Sequence, residues 1–252
     1  MSEQEASADH IGASFHRLTK QPMGGPPGWT SGRGLPIGHK EVAGVAAPVT
    51  LPGPQTSSGP PLWDTVRARA SRRVYQRKEI ELSVIAQLLW AGQGIRNEAS
   101  DARRRTTPSA GGRYPIETYL SAHTVKGVDA GLYYCAPDGH SLVPIRLGDF
   151  RSQIAVAAHG QRMCANAAAV FIWTAVVERS TPLCGQRAYR YFYIEVGHIA
   201  QNVALAAVAL GLGSCQIGGF CDDALNDLLH LDERQEPVLY LTAIGVPRQS
   251  PR

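Results

Sequence analysis

Cysteine is scarce in this chain of 252 residues, and its positions follow no regular spacing. Five cysteines are an odd number, and no Cys-x-x-Cys pair occurs, so the sequence favours neither a disulfide framework nor a zinc site. We therefore expect reduced thiols, no bound metal and a cytoplasmic location. The cysteines are Cys135, Cys164, Cys184, Cys215 and Cys221.

Long uninterrupted hydrophobic runs are also missing. The most apolar stretch, residues 196–219, contains His198, Gln201 and Asn202. Because a bilayer would leave these polar groups without partners, the stretch is predicted to be a buried helix rather than a membrane span. The acidic and polar residues 1–5 do not fit a secretory signal. We expect a soluble protein.

The sequence has no dense basic face interleaved with aromatic residues, so it does not predict nucleic-acid binding. Lys and Arg together number 25 against 21 Asp and Glu, a net charge of +4, and aromatic residues make up 7%. Nearly all the basic residues are Arg, whose guanidinium binds phosphate or carboxylate with two hydrogen bonds. Two interpretations stay open: a site for an anionic ligand, or a solvated basic surface.

Glycine, proline and serine are concentrated before residue 62. Such a composition buries little surface, which predicts an extended arm over residues 1–61 that drapes over the body or a partner. Residues 62–252 form the compact domain.

Hydrophobic periodicity predicts an α+β fold for that domain, with a central sheet and one dominant buried helix. An Asp-Gly turn at 138–139 predicts a hairpin, Ser83 is the predicted N-cap of the second helix, and Asp222 or Asp223 that of the last. Residues 211–220 are predicted to be a glycine-rich turn. The predicted helices are 62–70, from 83 onward, 149–162, 186–212 and 222–229, and the predicted strands are 116–124, 131–136, 141–145, 167–177 and 238–246.

Three motifs contain residues suited to ligand binding or catalysis. Arg69, Ser71 and Arg73 alternate after the first helix, and on an extended segment they would converge on one side, which suits a terminal phosphate or else a solvated turn. The second motif, Gly211-Leu212-Gly213 followed by Gly218 and Gly219, closes a helix instead of opening one, so these glycines do not form a dinucleotide fingerprint. They form a simple turn or let the backbone approach a planar ligand.

The third motif is the small-residue segment 108–112 before a strand, which also lets the backbone pass close to a flat ring. No Gly-x-Ser-x-Gly occurs, so Ser109 is not a nucleophile-elbow serine. His198, inside the long helix, is by default a hydrogen-bonded core histidine.

Together these segments resemble the SagB-type dehydrogenases over essentially the whole chain and in the same order. The matching segments are Arg69-x-Ser71-x-Arg73, Leu89-Trp90-Ala91-x-Gln93-Gly94-Ile95, Arg105-Thr106-x-Pro108-Ser109-Ala110-Gly111-Gly112-Arg113-Tyr114-Pro115-Ile116-Glu117, Gly131-Leu132-Tyr133-Tyr134, Arg187-Ala188-Tyr189-Arg190-Tyr191, Glu195-x-Gly197-His198-x-x-Gln201-Asn202 and Ile217-Gly218-Gly219-Phe220.

The resemblance implies a nitroreductase-like fold, with a central mixed or antiparallel sheet flanked by helices, that binds FMN at a homodimer interface. Family members oxidise thiazolines and oxazolines in ribosomally made peptides, next to a cyclodehydratase. By position, Arg69, Ser71, Arg73 and Arg248 would hold the FMN phosphate and polar edge. Pro108, Ser109, Ala110 and Gly111 would line the isoalloxazine, and Gly218 and Gly219 would pass near its N5 edge.

One departure from the family pattern concerns proton transfer. The family usually carries a Lys-Tyr pair at the place that Leu183 and Cys184 occupy here. Three interpretations follow: a dehydrogenation of an altered or related substrate, a nitro- or quinone-type reductase, or a non-catalytic flavin-binding partner subunit. The candidates for the missing proton acceptor are Cys184, Tyr189, Tyr191 and His198.

Overall fold

The computed structural model of the chain describes residues 11–21, 23, 40–96 and 104–248. The helices are α1 (Ile11–Leu18), α2 (Leu62–Ala68), α3 (Leu82–Gln93), α4 (Arg151–Ala157), α5 (Arg162–Asn166), α6 (Thr181–Cys184), α7 (Ala188–Ala209) and α8 (Asp222–Leu229). The strands are β1 (Val49–Thr50), β2 (Ile80–Glu81), β3 (Ile116–Ala122), β4 (Val125–Lys126), β5 (Gly131–Ala136), β6 (Ser141–Leu147), β7 (Ala169–Ala175), β8 (Gly213–Ile217) and β9 (Val238–Gly245).

Seven strands form one antiparallel sheet in the order β1-β6-β5-β3-β7-β9-β8, and β2 pairs with β4 in a small parallel sheet. Strand β7 lies between β3 and β9, and all its residues are buried. Because successive side chains point to opposite faces, Phe171 and Trp173 enter one apolar core while Val170 and Ile172 enter the other. The predicted α+β fold with a central antiparallel sheet is confirmed.

Helices α7 and α3 pack against each other in the first core. Asn202 donates a hydrogen bond of 3.0 Å from Nδ2 to the carbonyl of Ala91, and Gly92 faces Val203 and Ile199 so closely that a Cβ at residue 92 would lie 3.0 Å from Val203 Cγ2. The segment that includes α7 is also long and apolar enough to match a membrane span by length and composition. The apolar side chains on one side of α7 pack on α3 and the sheet, so the predicted buried helix is buried only in part, and Tyr193 and Ile194 are exposed.

The glycine-rich turn predicted over residues 211–220 is wrong, because residues 213–217 form β8 at the sheet edge. Gly211, with φ of 72°, ends α7 in the left-handed conformation that glycine tolerates. Strand β8 then runs antiparallel to β9, from the pair Gly213 with Gly245 to the pair Ile217 with Leu241. The tertiary pairing with β9 outweighs the turn-forming tendency of the glycines.

The single helix predicted over residues 149–162 is also wrong, because α4 ends at Ala157 and α5 starts at Arg162. His159 and Gly160 between them have φ of 55° and 74°, and a right-handed helix cannot continue through such residues.

The predicted N-caps differ as well: α3 is capped by Glu81 and α8 by Cys221. Asp222 and Asp223 instead occupy the first turn of α8, where the helix dipole favours acidic groups. The predicted hairpin between β5 and β6 is confirmed.

The described parts of the N-terminal arm dock on the domain. Strand β1 adds an edge strand to β6, and Leu51 after it is buried. Near the start of α7, Arg187 donates a hydrogen bond of 2.7 Å to the carbonyl of Thr19, and the Arg190 guanidinium lies 5.7 Å from the centre of the Phe15 ring. The boundary between arm and domain at residue 61 stays a prediction.

Candidate functional site

The Arg69-to-Arg73 segment is extended, as predicted, and lies along the edge strand β8. Ser71 pairs with Ser214 in parallel orientation, and the amide of Arg72 donates a hydrogen bond of 2.8 Å to the Ser214 carbonyl. Burial raises the pKa of the Cys215 thiol, and the neighbouring Arg73 guanidinium and Ser71 hydroxyl partly oppose that shift.

Arg248 lies beside the same segment. Its amide donates a hydrogen bond of 3.0 Å to the carbonyl of Val74, and Tyr75 pairs with Pro247 in antiparallel orientation. The Arg73 and Arg248 side chains are exposed, and Arg69 is half-buried. The structure therefore brings the three predicted phosphate-binding arginines to one edge of the sheet, where their charge is available to an anion.

Gly218 and Gly219 continue from the end of β8 and expose their backbone. A Cβ at Gly219 would meet no atom within 4 Å, and one at Gly218 would lie 3.5 Å from the Tyr240 ring. The carbonyl of Gly219 accepts a hydrogen bond of 3.0 Å from Gln161 Nε2. These glycines leave open space beside an exposed strip of backbone, which a flat ligand can approach.

The loop formed by Pro108 to Gly111 contacts α7 at Glu195. The amide of Ala110 donates a hydrogen bond of 2.8 Å to Glu195 Oε1, and the Ser109 hydroxyl accepts one of 2.8 Å from the amide of Tyr114. At Gly111 φ is 65°, and a Cβ there would lie 3.0 Å from Leu183 Cδ2. The loop is therefore held to α7 by Glu195 and lies next to Leu183.

Glu195 is the residue of this region that the sequence reasoning missed as a site residue. Its side chain is 5% exposed, and burial raises its pKa to about 7 against the hydrogen bonds from Ala110 and Ser109 and the charge of Arg105. The signal was present, because a glutamate on the buried face of an apolar helix requires partners. Its carboxyl ties the loop to α7 and titrates near neutral pH.

Cys184 is buried beside this loop. Burial raises the pKa of its thiol, the Arg113 guanidinium lowers it, and the Glu195 carboxylate raises it. The thiol is therefore predominantly protonated at neutral pH, which disfavours it as a general base.

The other three proton-transfer candidates lie on α7. Tyr189 is half-buried with its ring 5.4 Å from that of Phe192, and the Tyr191 hydroxyl accepts a hydrogen bond of 2.9 Å from Arg187 Nε. His198 is exposed, so the expectation of a core histidine is wrong: residue 198 lies on the helix face that turns away from α3 and the sheet. The structure does not bring the four candidates to one point.

Two groups of candidate residues are thus attached to different parts of α7. The loop contacts the helix at Glu195, whereas the arginine segment contacts the start of β8, just after the helix ends at Ala209. At about 1.5 Å per residue, these points are separated by about 21 Å along the helix axis. No group of three or more metal-ligating side chains occurs within the described parts of the chain.

We predict that the protein loses stability as the pH rises through 7 and that Glu195→Gln removes most of this loss. A carboxyl whose pKa rises from 4.5 to about 7 on folding stabilises the protonated native state, so its contribution is complete below pH 4.5 and is lost as the pH rises through 7. The difference corresponds to about 3 kcal/mol at pH 8. Urea unfolding at pH 5, 6.5 and 8 should show that the free energy of unfolding of the variant increases relative to that of the wild type as the pH rises. The exposed Glu233→Gln is the control, and parallel pH profiles for all three proteins would contradict the prediction.

Comparison with known proteins agrees with this fold. The Nitroreductase family profile matches residues 66–246. MJ1384 of Methanocaldococcus jannaschii, which is named a nitroreductase, is 38% identical over 172 residues, 68% of this chain and 85% of MJ1384. A solved structure from Ralstonia eutropha, also named a nitroreductase, superposes with a TM-score of 0.70 at 27% identity, over 84% of this chain and 97% of that one.

Two further relatives are named as processing proteins. The trifolitoxin-processing protein TfxB of Rhizobium leguminosarum bv. trifolii is 30% identical over 51% of this chain, and the microcin B17-processing protein McbC of Escherichia coli is 25% identical over 56%. These matches span only 36% of TfxB and 54% of McbC. A chain of the E. coli microcin synthetase McbBCD complex shares the fold, with a TM-score of 0.62 at 19% identity over 98% of this chain and 95% of that one. From the family match and the identity to MJ1384, the chain belongs to the nitroreductase family.

Proposed function

We propose that this protein binds FMN and works as a flavin-dependent dehydrogenase. The observation that carries the proposal is the alignment, along β8, of an arginine-rich segment with exposed glycine backbone. Arg69, Arg73 and Arg248 present positive charge at one end, and Gly218 and Gly219 leave open space at the other. A phosphate at the end of a long planar ligand fits the first group, and the ring fits the second.

The residues present therefore fit FMN. Arg69, Ser71, Arg73 and Arg248 would hold the phosphate, and the bare backbone at 218–219 would face the ring. Bound FMN supplies a two-electron acceptor. The protein's own contribution is to bind and orient the ligand and to accept the proton that the substrate loses.

We also propose a homodimer. Tyr193 and Ile194 on α7 are 54% and 53% exposed, and Gly197 and His198 continue the same exposed face. A two-fold axis across this face would set two copies of α7 against each other in opposite directions. The loop of residues 108–111 from one copy would then approach the arginine segment of the other, which closes the separation of about 21 Å that exists within one chain.

The relatives suggest the class of substrate. TfxB and McbC are named for processing trifolitoxin and microcin B17, and the resemblance to SagB-type dehydrogenases is of the same kind. We therefore propose oxidation of a thiazoline, an oxazoline or a related C–N or C–C bond in a biosynthetic intermediate, with a cyclodehydratase or other biosynthetic protein as partner, in the cytoplasm. The name of MJ1384 favours a second function, a nitro- or quinone-type flavin reductase. A non-catalytic flavin-binding subunit is the third.

Because the Lys-Tyr pair is missing, few groups can accept the proton that the substrate loses. Leu183 has no titratable group, and the buried Cys184 thiol is held protonated. Tyr191 and His198 lie on or beside the α7 face that a second copy would cover, so a dimer would enclose them near the ligand. One of these two groups is then the proton acceptor, or the substrate is acidic enough to need none.

The first prediction from this proposal concerns the phosphate. Purified protein should carry about one FMN per chain and be yellow. Arg73→Ala should weaken FMN binding by roughly 1.5–3 kcal/mol, since it removes a charged hydrogen bond. Titration followed by flavin fluorescence measures the affinity, with the exposed Arg77→Ala as the matched control. A protein that neither purifies with FMN nor takes it up would remove the basis of the proposal.

The second concerns assembly. Ile194→Arg should convert the dimer to a monomer and release flavin, because it buries a charge in the proposed interface. Val156→Arg is the control, since Val156 is 74% exposed on α4, away from that face. Light scattering and the ratio of flavin to protein absorbance give the two readouts. A stable wild-type monomer that retains flavin would refute the shared site.

The third concerns the substrate. The unmodified protein should oxidise a generic peptidyl thiazoline slowly or not at all, because general-base assistance is worth about 10²–10⁴-fold in rate. Its flavin should still lose its absorbance with other donors, and Leu183→Lys/Cys184→Tyr should retain FMN. Rapid azole formation by the unmodified protein, followed by mass spectrometry, would restore the ordinary azoline-dehydrogenase function. If no donor reduces the flavin, the non-catalytic function is favoured.

A further inference from the structure

A cavity of about 640 Å³ lies under the N-terminal arm, at the C-terminal end of α3. Arm residues 51–56 cover it, the turn between β5 and β6 forms one wall, and the start of β3 forms its floor. Its size is that of a site for a small organic ligand. None of the predicted flavin-site residues lines it.

The floor of the cavity is polar and fixed. Arg105 is 6% exposed and hydrogen-bonds the side-chain oxygen of Gln93. Gln93 Nε2 in turn donates bonds of 3.0 Å to Thr118 Oγ1 and to the carbonyl of Ile116. The Arg105 guanidinium is therefore held in one position by neutral acceptors, and burial lowers its pKa.

The charges around the floor leave a positive excess. Glu117 is 1% exposed, is ion-paired with Arg179, and accepts a hydrogen bond of 2.9 Å from the Tyr134 hydroxyl. Two buried or nearly buried guanidinium groups, those of Arg105 and Arg179, thus face one carboxylate. Arg96 lines the cavity, and the charge of Asp138 raises the pKa of Arg105. These two residues add one charge of each sign. The charge of Arg105 also acts on Glu195, whose carboxyl is mostly protonated below its pKa of about 7 because it is buried. Below that pH, one negative charge would balance the group.

The walls are apolar. They are formed by Leu51, Pro54, Leu89, Trp90, Ile95 and Pro137. A ligand that fills the cavity therefore gains from burying an apolar body while it places an anionic head on the floor.

We infer that this cavity is a binding site for an apolar molecule with a single carboxylate, whose carboxylate lies toward Arg105. The site is separate from the proposed flavin site, and the inference does not depend on bound flavin. The arm segment that covers the cavity is part of the site, because Leu51 and Pro54 contribute two of its walls.

The test uses octanoate as the probe at pH 6, where the Glu195 carboxyl is mostly protonated and octanoate is ionised. Octan-1-ol and octylammonium are matched ligands of the same chain length. Isothermal titration of the full-length protein should give about one octanoate bound per chain and an affinity at least about tenfold higher than for octan-1-ol, since an ionised head gives stronger hydrogen bonds than a neutral one. Octylammonium should bind more weakly than either. Equal binding of octanoate and octan-1-ol, preference for octylammonium, or no binding of octanoate would each overturn the inference.

Two variants locate the bound probe. Ile95→Trp enlarges a residue of the apolar wall without changing any charge and should abolish octanoate binding, whereas Val156→Trp on α4 should leave it unchanged. Arg105→Gln should remove the preference for octanoate over octan-1-ol, with circular dichroism to check that the variant folds. Because Ile95→Trp tests the site without a charge change, the inference is still refuted if that variant folds and binds octanoate as the wild type does.

Discussion

The burial of α7 on all but one face is the constraint on which the rest of the structure depends. One side packs on α3, where Gly92 allows the two backbones to approach, and another carries β8, whose Gln216 lies 3.4 Å from the Ala200 carbonyl. Glu195, on the buried side, fixes the loop that contains Ala110. The remaining face, with Tyr193 and Ile194, is left to solvent in a single chain. This helix therefore positions the loop by direct contact, and it positions the arginine segment through β8, which packs on it.

The sequence alone predicts those parts of the site in which the local backbone conformation is enough to bring the side chains together. Arg69, Ser71 and Arg73 alternate, and an extended backbone is enough to present them together. The position of Arg248 beside them was expected only from the family resemblance and does not follow from local conformation, because it depends on the pairing of Tyr75 with Pro247, which are far apart in sequence. The same limit explains β8: its glycines favour a turn locally, and only the partner strand β9 makes it a strand.

The two errors on α7 have a common physical origin. Helical periodicity indicates which residues share a face, but it does not tell which face meets the core when apolar residues lie all round the helix. His198 was expected inside and lies outside, whereas the buried Glu195 was not selected at all. The fold class, by contrast, follows from the continuous apolar strand β7 and the hairpin at β5 and β6, which few arrangements can bury.

The position of β7 between β3 and β9 has a consequence for synthesis of the chain. Strand β7 is apolar on both faces, and β9, which covers one of its edges, is about 60 residues further along the chain. At a translation rate of about 5–20 residues per second, that edge stays unpaired for several seconds after β7 leaves the ribosome. An unpaired apolar strand is a template for aggregation. Chaperone demand during translation should therefore concentrate on the interval between β7 and β9.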